Sequence, residues 1–107
     1  MADVRLQVPA AVRRGEAFEV KILIRHPMET GYRLTDSGQI IPRNVITRFT
    51  CRYNGQQVFR ADPGPGIAAN PLFTFWLAAR DAGELVFEWF DDSGAKNEER
   101  APLNVTS

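Results

Sequence analysis

One cysteine and one histidine are all that the 107 residues contain of these two ligand and catalytic residue types. A lone Cys51 excludes an internal disulfide, and with only His26 beside it no Cys/His zinc cluster can be assembled. Stability must therefore come from packing. Net charge is lacking as well, since thirteen Lys and Arg balance thirteen Asp and Glu. A chain without a basic stripe is a poor partner for nucleic acid, whose binding depends on clustered cations. The longest apolar runs, such as "FTFWLAA", fall far short of the roughly 20 residues that span a bilayer. The opening "MADVRLQVP" has neither a basic n-region nor an apolar h-region, so no export signal is expected in it, and taken alone it points to the cytoplasm. Internal repeats, low-complexity linkers and sustained helical spacing are absent too.

What remains is a globular composition, 44% hydrophobic and 24% charged, in one single-domain length, 1–107. Apolar residues alternate with polar ones. "AFEVKILIR" (17–25) sets Phe18, Val20, Ile22 and Ile24 against Glu19, Lys21 and Arg25, after a turn at "RRGE". "VITRFTCRY" (45–53) places Val45, Phe49, Cys51 and Tyr53 on one face and Arg48, Thr50 and Arg52 on the other. Asn54-Gly55 follows, suited to the positive φ angles of a two-residue hairpin, and "QQVFRA" is its returning strand. "DPGPG" interrupts regular pairing. "PLFTFWLA" and "ELVFEWFD" then form two aromatic strands joined by "ARDAG", and "DDSG" turns the chain into "KNEERAPLNV". With "VRLQV" the count is about seven strands, which predicts an all-β, immunoglobulin-like antiparallel sandwich without a disulfide. The one long connection, "HPMETGYRLTDSGQIIPR" between 26 and 44, is the natural place for function.

Each candidate for chemistry has a plainer reading. His26 is surrounded by no nucleophile or metal motif, so it serves structure at a strand end or an interface before it serves catalysis. Cys51 is in phase with the core and reads as a small hydrophobe. A reactive thiol would need exposure and nearby positive charge, and alternation sends Arg48 and Arg52 to the other face. "DPGPG" lacks a phosphate-loop pattern and reads as a rigid turn, "DDSG" lacks calcium-loop spacing, and "NVT" at 104–106 is assigned no role. No cofactor is expected.

Three stretches taken together resemble the SoxZ family: "HPMETG" with the later "IPRNVI", "YNG" in the hairpin, and "DPGPGIAANPLFTF". The likeness runs from roughly residue 12 to residue 92. It implies a β-sandwich that pairs with SoxY, whose flexible C-terminal Gly-Gly-Cys-Gly-Gly arm carries the sulfur intermediates of bacterial thiosulfate oxidation. This chain ends "PLNVTS" and so resembles the partner rather than the arm-bearing subunit. The resemblance further implies a non-catalytic role, a heterodimer that meets other Sox enzymes only transiently, and a periplasmic location reached by export with a signal-bearing partner.

Two surfaces are expected to bind that partner. Pro27 biases His26 toward extended backbone and Gly31 accepts positive φ, so "HPMETG" is predicted to be a defined loop whose His26, Pro27, Met28 and Glu29 seat the partner's arm. If Phe73, Phe75 and Leu77 point inward with Leu85, Phe87 and Trp89, then Leu72, Trp76, Val86 and Phe90 point out as an apolar strip that marks an interface. Two other readings use the same residues differently: a thiol redox protein built on Cys51 and His26, and a generic immunoglobulin-like adhesion or chaperone module.

Overall fold

The computed structural model describes residues 4–63 and 67–107; residues 64–66, the greater part of the expected "DPGPG" turn, lie outside the described residues. Among the described residues eight strands form two sheets: β1 (Val4–Gln7), β2 (Ala11–Arg13), β3 (Ala17–Ile24), β4 (Ile46–Tyr53), β5 (Gln56–Ala61), β6 (Leu72–Ala78), β7 (Gly83–Asp91) and β8 (Lys96–Thr106). The smaller sheet runs β1-β3-β6 and the larger β2-β8-β7-β4-β5. This is an immunoglobulin-like sandwich with a free, buried Cys51. The strand missed from the sequence is β2, three residues too short to show alternation, which pairs parallel to β8 through Val12 and Val105. Every other named pairing is antiparallel.

Alternation builds the core. Val20, Ile22 and Ile24 of β3 are fully buried, as are Phe49 and Cys51 of β4 and Leu85 and Phe87 of β7. The sheets are joined through aromatic rings. Phe49 of the larger sheet stacks on Phe73 of the smaller at 4.4 Å between centroids, and Phe59 stacks on Phe75 at 4.1 Å. Truncating Phe49 to alanine would remove these contacts and leave a cavity, at a cost of about 3–5 kcal/mol. A register shift between Ile46 and Arg48 explains why Val45 and Ile46 are both buried before regular alternation begins.

The turns follow the sequence closely. Asn54 and Gly55 take φ of 49° and 86°, as a two-residue hairpin between Tyr53 and Gln56 requires. The connection between β6 and β7 is fastened by Tyr53, whose hydroxyl donates to the Asp81 carbonyl at 2.7 Å and accepts from the Arg80 amide at 3.0 Å. β7 is buried over Leu85–Trp89 on both faces because it lies between β4 and β8. β6 is the edge of its sheet and alternates between buried and exposed.

Candidate functional site

The end of the sandwich where β3 leaves the core carries the long 25–45 connection, and here the separate sequence motifs meet. His26 is their junction. Its backbone amide donates to the Asn70 side-chain oxygen at 2.9 Å, and its carbonyl accepts the Asn70 amide at 2.8 Å. Its ring faces two further segments: the Met28 amide lies 3.0 Å from Nδ1, and the Asp91 carboxylate 3.1 Å from Nε2. An amide can only donate, so Nδ1 carries the lone pair and Nε2–H donates to Asp91. The ring is thus a neutral bridge between the start of the loop and the end of β7.

Met28 occupies an unusual position. Its φ of 52° lies in the left-handed region, which costs a residue with a Cβ roughly 1–2 kcal/mol. The side chain is buried, and its sulfur accepts the Ile46 amide at 3.3 Å. The expectation that Met28 helps to seat a partner's arm is therefore corrected: its side chain is a plug in this domain's own core, with its backbone amide held by the His26 ring. Pro27 is exposed beside it, and Glu29 is partly buried.

Glu29 exchanges both backbone hydrogen bonds with Asn44, at 2.8 and 2.7 Å, which closes the base of the loop. Its carboxylate receives the Arg33 guanidinium, whose hydrogen bond and charge hold it below the usual carboxylate range. Gly31 has φ of 90°, and a Cβ there would press within 3.3 Å of the Arg43 side chain, so the expected positive φ is present and a close approach accompanies it. Beyond this base the hairpin-like tip leaves Tyr32, Leu34 and Ile40 exposed, with Leu34 and Ile40 facing each other across a bridge.

The "DDSG" stretch does more than turn the chain. Asp91 is half-buried, which by itself raises its carboxyl, but hydrogen bonds from Ser93 and His26 outweigh that and hold it below the ordinary value. Asp92 accepts from Arg43 Nε at 2.9 Å and from the Val45 amide at 3.1 Å. Turn chemistry is legible for these two aspartates, but residue spacing carries no signal for their partners, Arg43 and His26, which lie 49 and 65 positions away.

The second predicted surface is divided by the fold. β6 and β7 belong to opposite sheets, so Leu72, Trp76, Val86 and Phe90 do not form one strip. Leu72 and Trp76 stand 58% and 64% exposed on the outside of the smaller sheet. Trp76 also walls an open groove of about 380 Å³ with Val58, Leu77 and Arg80, between the edge strands β5 and β6. Val86 is buried and Phe90 half-buried on the outside of the larger sheet. There Glu88 receives Arg52 at 2.5 Å and Lys96 at 2.7 Å. The hydrogen bond from Lys96 and the charges of Arg52, Lys96 and Arg100 hold its carboxyl below the usual range against the effect of burial.

Cys51 has no solvent exposure and lies in register with Phe59 and Phe87. Burial pushes its thiol up to about 12. Such a thiol is not a nucleophile at neutral pH, and the hydrogen bonds of His26 go to Met28, Asn70 and Asp91, not to it. The redox pairing of Cys51 with His26 has no geometric basis here. Among the described residues no group of three or more His, Cys, Asp and Glu side chains could hold a metal ion.

These residues define a small immunoglobulin-like domain whose polar side chains stiffen one loop-bearing end. Comparison with known proteins carries this further. The chain belongs to the SoxZ family, described as sulphur oxidation protein SoxZ, whose model matches residues 4–102. No curated protein sequence matches it. Among solved structures it is similar to a superoxide reductase (neelaredoxin) from Ignicoccus hospitalis, with TM-score 0.74, 19% identity, and 96% of this chain and 80% of that chain covered. It is similar to a putative superoxide reductase from Thermotoga maritima, with TM-score 0.72, 13% identity, and 97% and 86% covered. It is also similar to the sulfur carrier protein SoxY from Chlorobium limicola f thiosulfatophilum, with TM-score 0.68, 13% identity, and 97% and 79% covered. At these identities the likeness is one of fold.

Proposed function

We propose that this Sox sulfur-oxidation subunit is the non-catalytic half of a heterodimeric sulfur carrier. It binds and stabilises a SoxY-like protein whose C-terminal cysteine arm holds the sulfur intermediates of thiosulfate oxidation while other Sox enzymes act on them transiently. The covalent chemistry belongs to the partner. The observation that carries this reading is the family match over nearly the whole chain. The burial of Cys51, which leaves this subunit without an available thiolate of its own, is consistent with it. A periplasmic site of action, reached together with the partner, belongs to the same proposal.

The partner-binding surface is assigned to the outside of the smaller sheet, through Leu72 and Trp76, together with the loop that begins at His26, Pro27, Met28 and Glu29. Leu72 pairs with Leu23 near the end of β3, and the Ile24 amide donates to the Pro71 carbonyl, so the sheet face runs into the loop-bearing end. Exposed tryptophan and leucine on such a face supply the apolar contact on which interfaces depend. Within the loop, His26, Met28 and Glu29 fix the shape, and Tyr32, Leu34 and Ile40 present it.

The test is the solution mass of this protein alone and after mixing with a SoxY-like protein bearing the cysteine arm, by light scattering on a sizing column. A one-to-one complex that survives dilution supports the reading. Two folded proteins that elute separately would refute it.

A further inference from the structure

We propose that His26 is a proton-operated latch on the start of the 25–45 loop, holding Met28 inside the domain when the ring is neutral and releasing it when the ring takes up a second proton. The device is a property of this chain and stands whatever binds at the loop.

Geometry makes the two ring nitrogens unequal. Nε2–H already donates to Asp91 at 3.1 Å, so a second proton can go only to Nδ1, the atom that accepts the Met28 amide at 3.0 Å. Once Nδ1 is protonated, two donors face each other and the hydrogen bond from Met28 is lost. The contact with Asp91 behaves oppositely, because an imidazolium beside a carboxylate is a charge-assisted pair. Protonation therefore keeps the ring on β7 and lets go of the loop.

Met28 is poised to respond. Its left-handed φ of 52° is unfavourable for a residue with a side chain, and the hydrogen bond to Nδ1 helps to hold it there, together with the weak acceptance of the Ile46 amide by its sulfur and the packing of the side chain in the core. With the first contact gone, relaxation of Met28 toward ordinary backbone angles withdraws a side chain that is 4% exposed. Glu29, the next residue, remains joined to Asn44 by their paired backbone bonds, so the opening is confined to residues 27 and 28.

The charged groups around the ring are few and committed. Asp91 of β7 is the direct partner, also held by Ser93. Asp92 is held by Arg43 and the Val45 amide, Glu29 of the loop is held by Arg33, and Arg25 precedes His26 in the chain with interactions of its own. Asn70, which faces His26 from the segment before β6, is neutral.

The test is amide hydrogen exchange of the full chain by NMR, read as protection factors so that the intrinsic pH dependence of exchange is removed, together with the His26 ring signals. The pH is lowered from about 8 to about 5, the interval in which imidazoles ordinarily charge. The expected result is a fall of about tenfold or more in the protection of the Met28 amide, with the midpoint of the ring titration, while Val20 and Ile22 in β3 keep theirs. In Asp91→Asn, which leaves the contact between Nδ1 and the Met28 amide in place, the loss of Met28 protection should still coincide with the change in the ring signals. In His26→Gln the Met28 response should vanish. A Met28 amide whose protection holds while the ring titrates, or a ring that stays neutral throughout, would overturn the latch. Should the His26 variant fail to fold, the Asp91 variant and the wild-type titration decide the matter.

Discussion

The outer faces of the two sheets are made of the same kinds of residue and end up differently. On the larger sheet, the β7 positions Val86, Glu88 and Phe90 are flanked by Arg48, Thr50 and Arg52 of β4 and by Lys96, Glu98 and Arg100 of β8. The long basic side chains reach the central carboxylate with their charges and cover the apolar neighbours with their stems, so Val86 is only 8% exposed. On the smaller sheet β6 is an edge, flanked on one side only, and Glu19, Lys21 and Leu23 of β3 leave Trp76 and Leu72 uncovered. Position in the sheet, more than residue type, decides which apolar groups remain for another molecule.

The comparison can be broken most sharply at Trp76. Trp76→Ala is expected to weaken the complex with a SoxY-like protein by about 2 kcal/mol or more, roughly thirtyfold in dissociation constant, as loss of an interfacial tryptophan does. The stability of the isolated domain should move by no more than about 0.5 kcal/mol, because the side chain is largely in solvent. Calorimetric titration checks the first value and urea unfolding the second. An unchanged affinity would remove the smaller sheet from the interface.

Glu88 gives the converse. Glu88→Ala leaves Arg52 and Lys96 without their shared carboxylate and uncovers Val86, and a loss of about 1–3 kcal/mol in stability is expected from urea unfolding, with partner affinity unchanged. The next effect is smaller and graded with pH. The carboxyls of Glu88 and Asp91 are both held below their ordinary values when folded. Each therefore contributes stability that is fully present above the ordinary carboxylate range, about pH 4, and lost as the pH falls through the lowered folded values. Unfolding midpoints measured across that interval should show a decline, and Glu88→Gln should flatten part of it. A decline of the same size in the variant would mean that Glu88 is not held as described.

The strands were legible because alternation is a local signal: Phe18, Val20, Ile22 and Ile24 are buried in the order they were read, and Asn54-Gly55 makes the turn its chemistry requires. Sheet membership was not legible. Nothing in "FTFWLA" and "LVFEWF" says that the "ARDAG" turn carries the chain across from one layer to the other, so two outward sets in different sheets read as one strip. The site was half legible. "HPMETG" announced a fixed loop through Pro27 and Gly31, yet the contacts that fix it join positions 26, 70 and 91, a separation at which residue spacing carries no information about hydrogen bonding. Met28 was read as a surface contact for the same reason, since its burial depends on the His26 ring and on Ile46.

Phe90 supplies the smallest expected effect and the finest test of the difference between the faces. It sits at the last outward position of β7, opposite Arg48 on one side and Lys96 on the other, and is half-buried between them. If the larger sheet is finished by its own charges, Phe90→Ala should leave partner affinity within about twofold and cost the domain less than a fully buried phenylalanine would, below the roughly 3–5 kcal/mol of a core truncation. If the two faces act together, its removal should weaken the complex on the scale of Trp76→Ala. The ratio of those two affinity losses is independent of how tightly the unmodified pair binds. It therefore separates a one-faced from a two-faced interface even where the absolute affinities differ between partners.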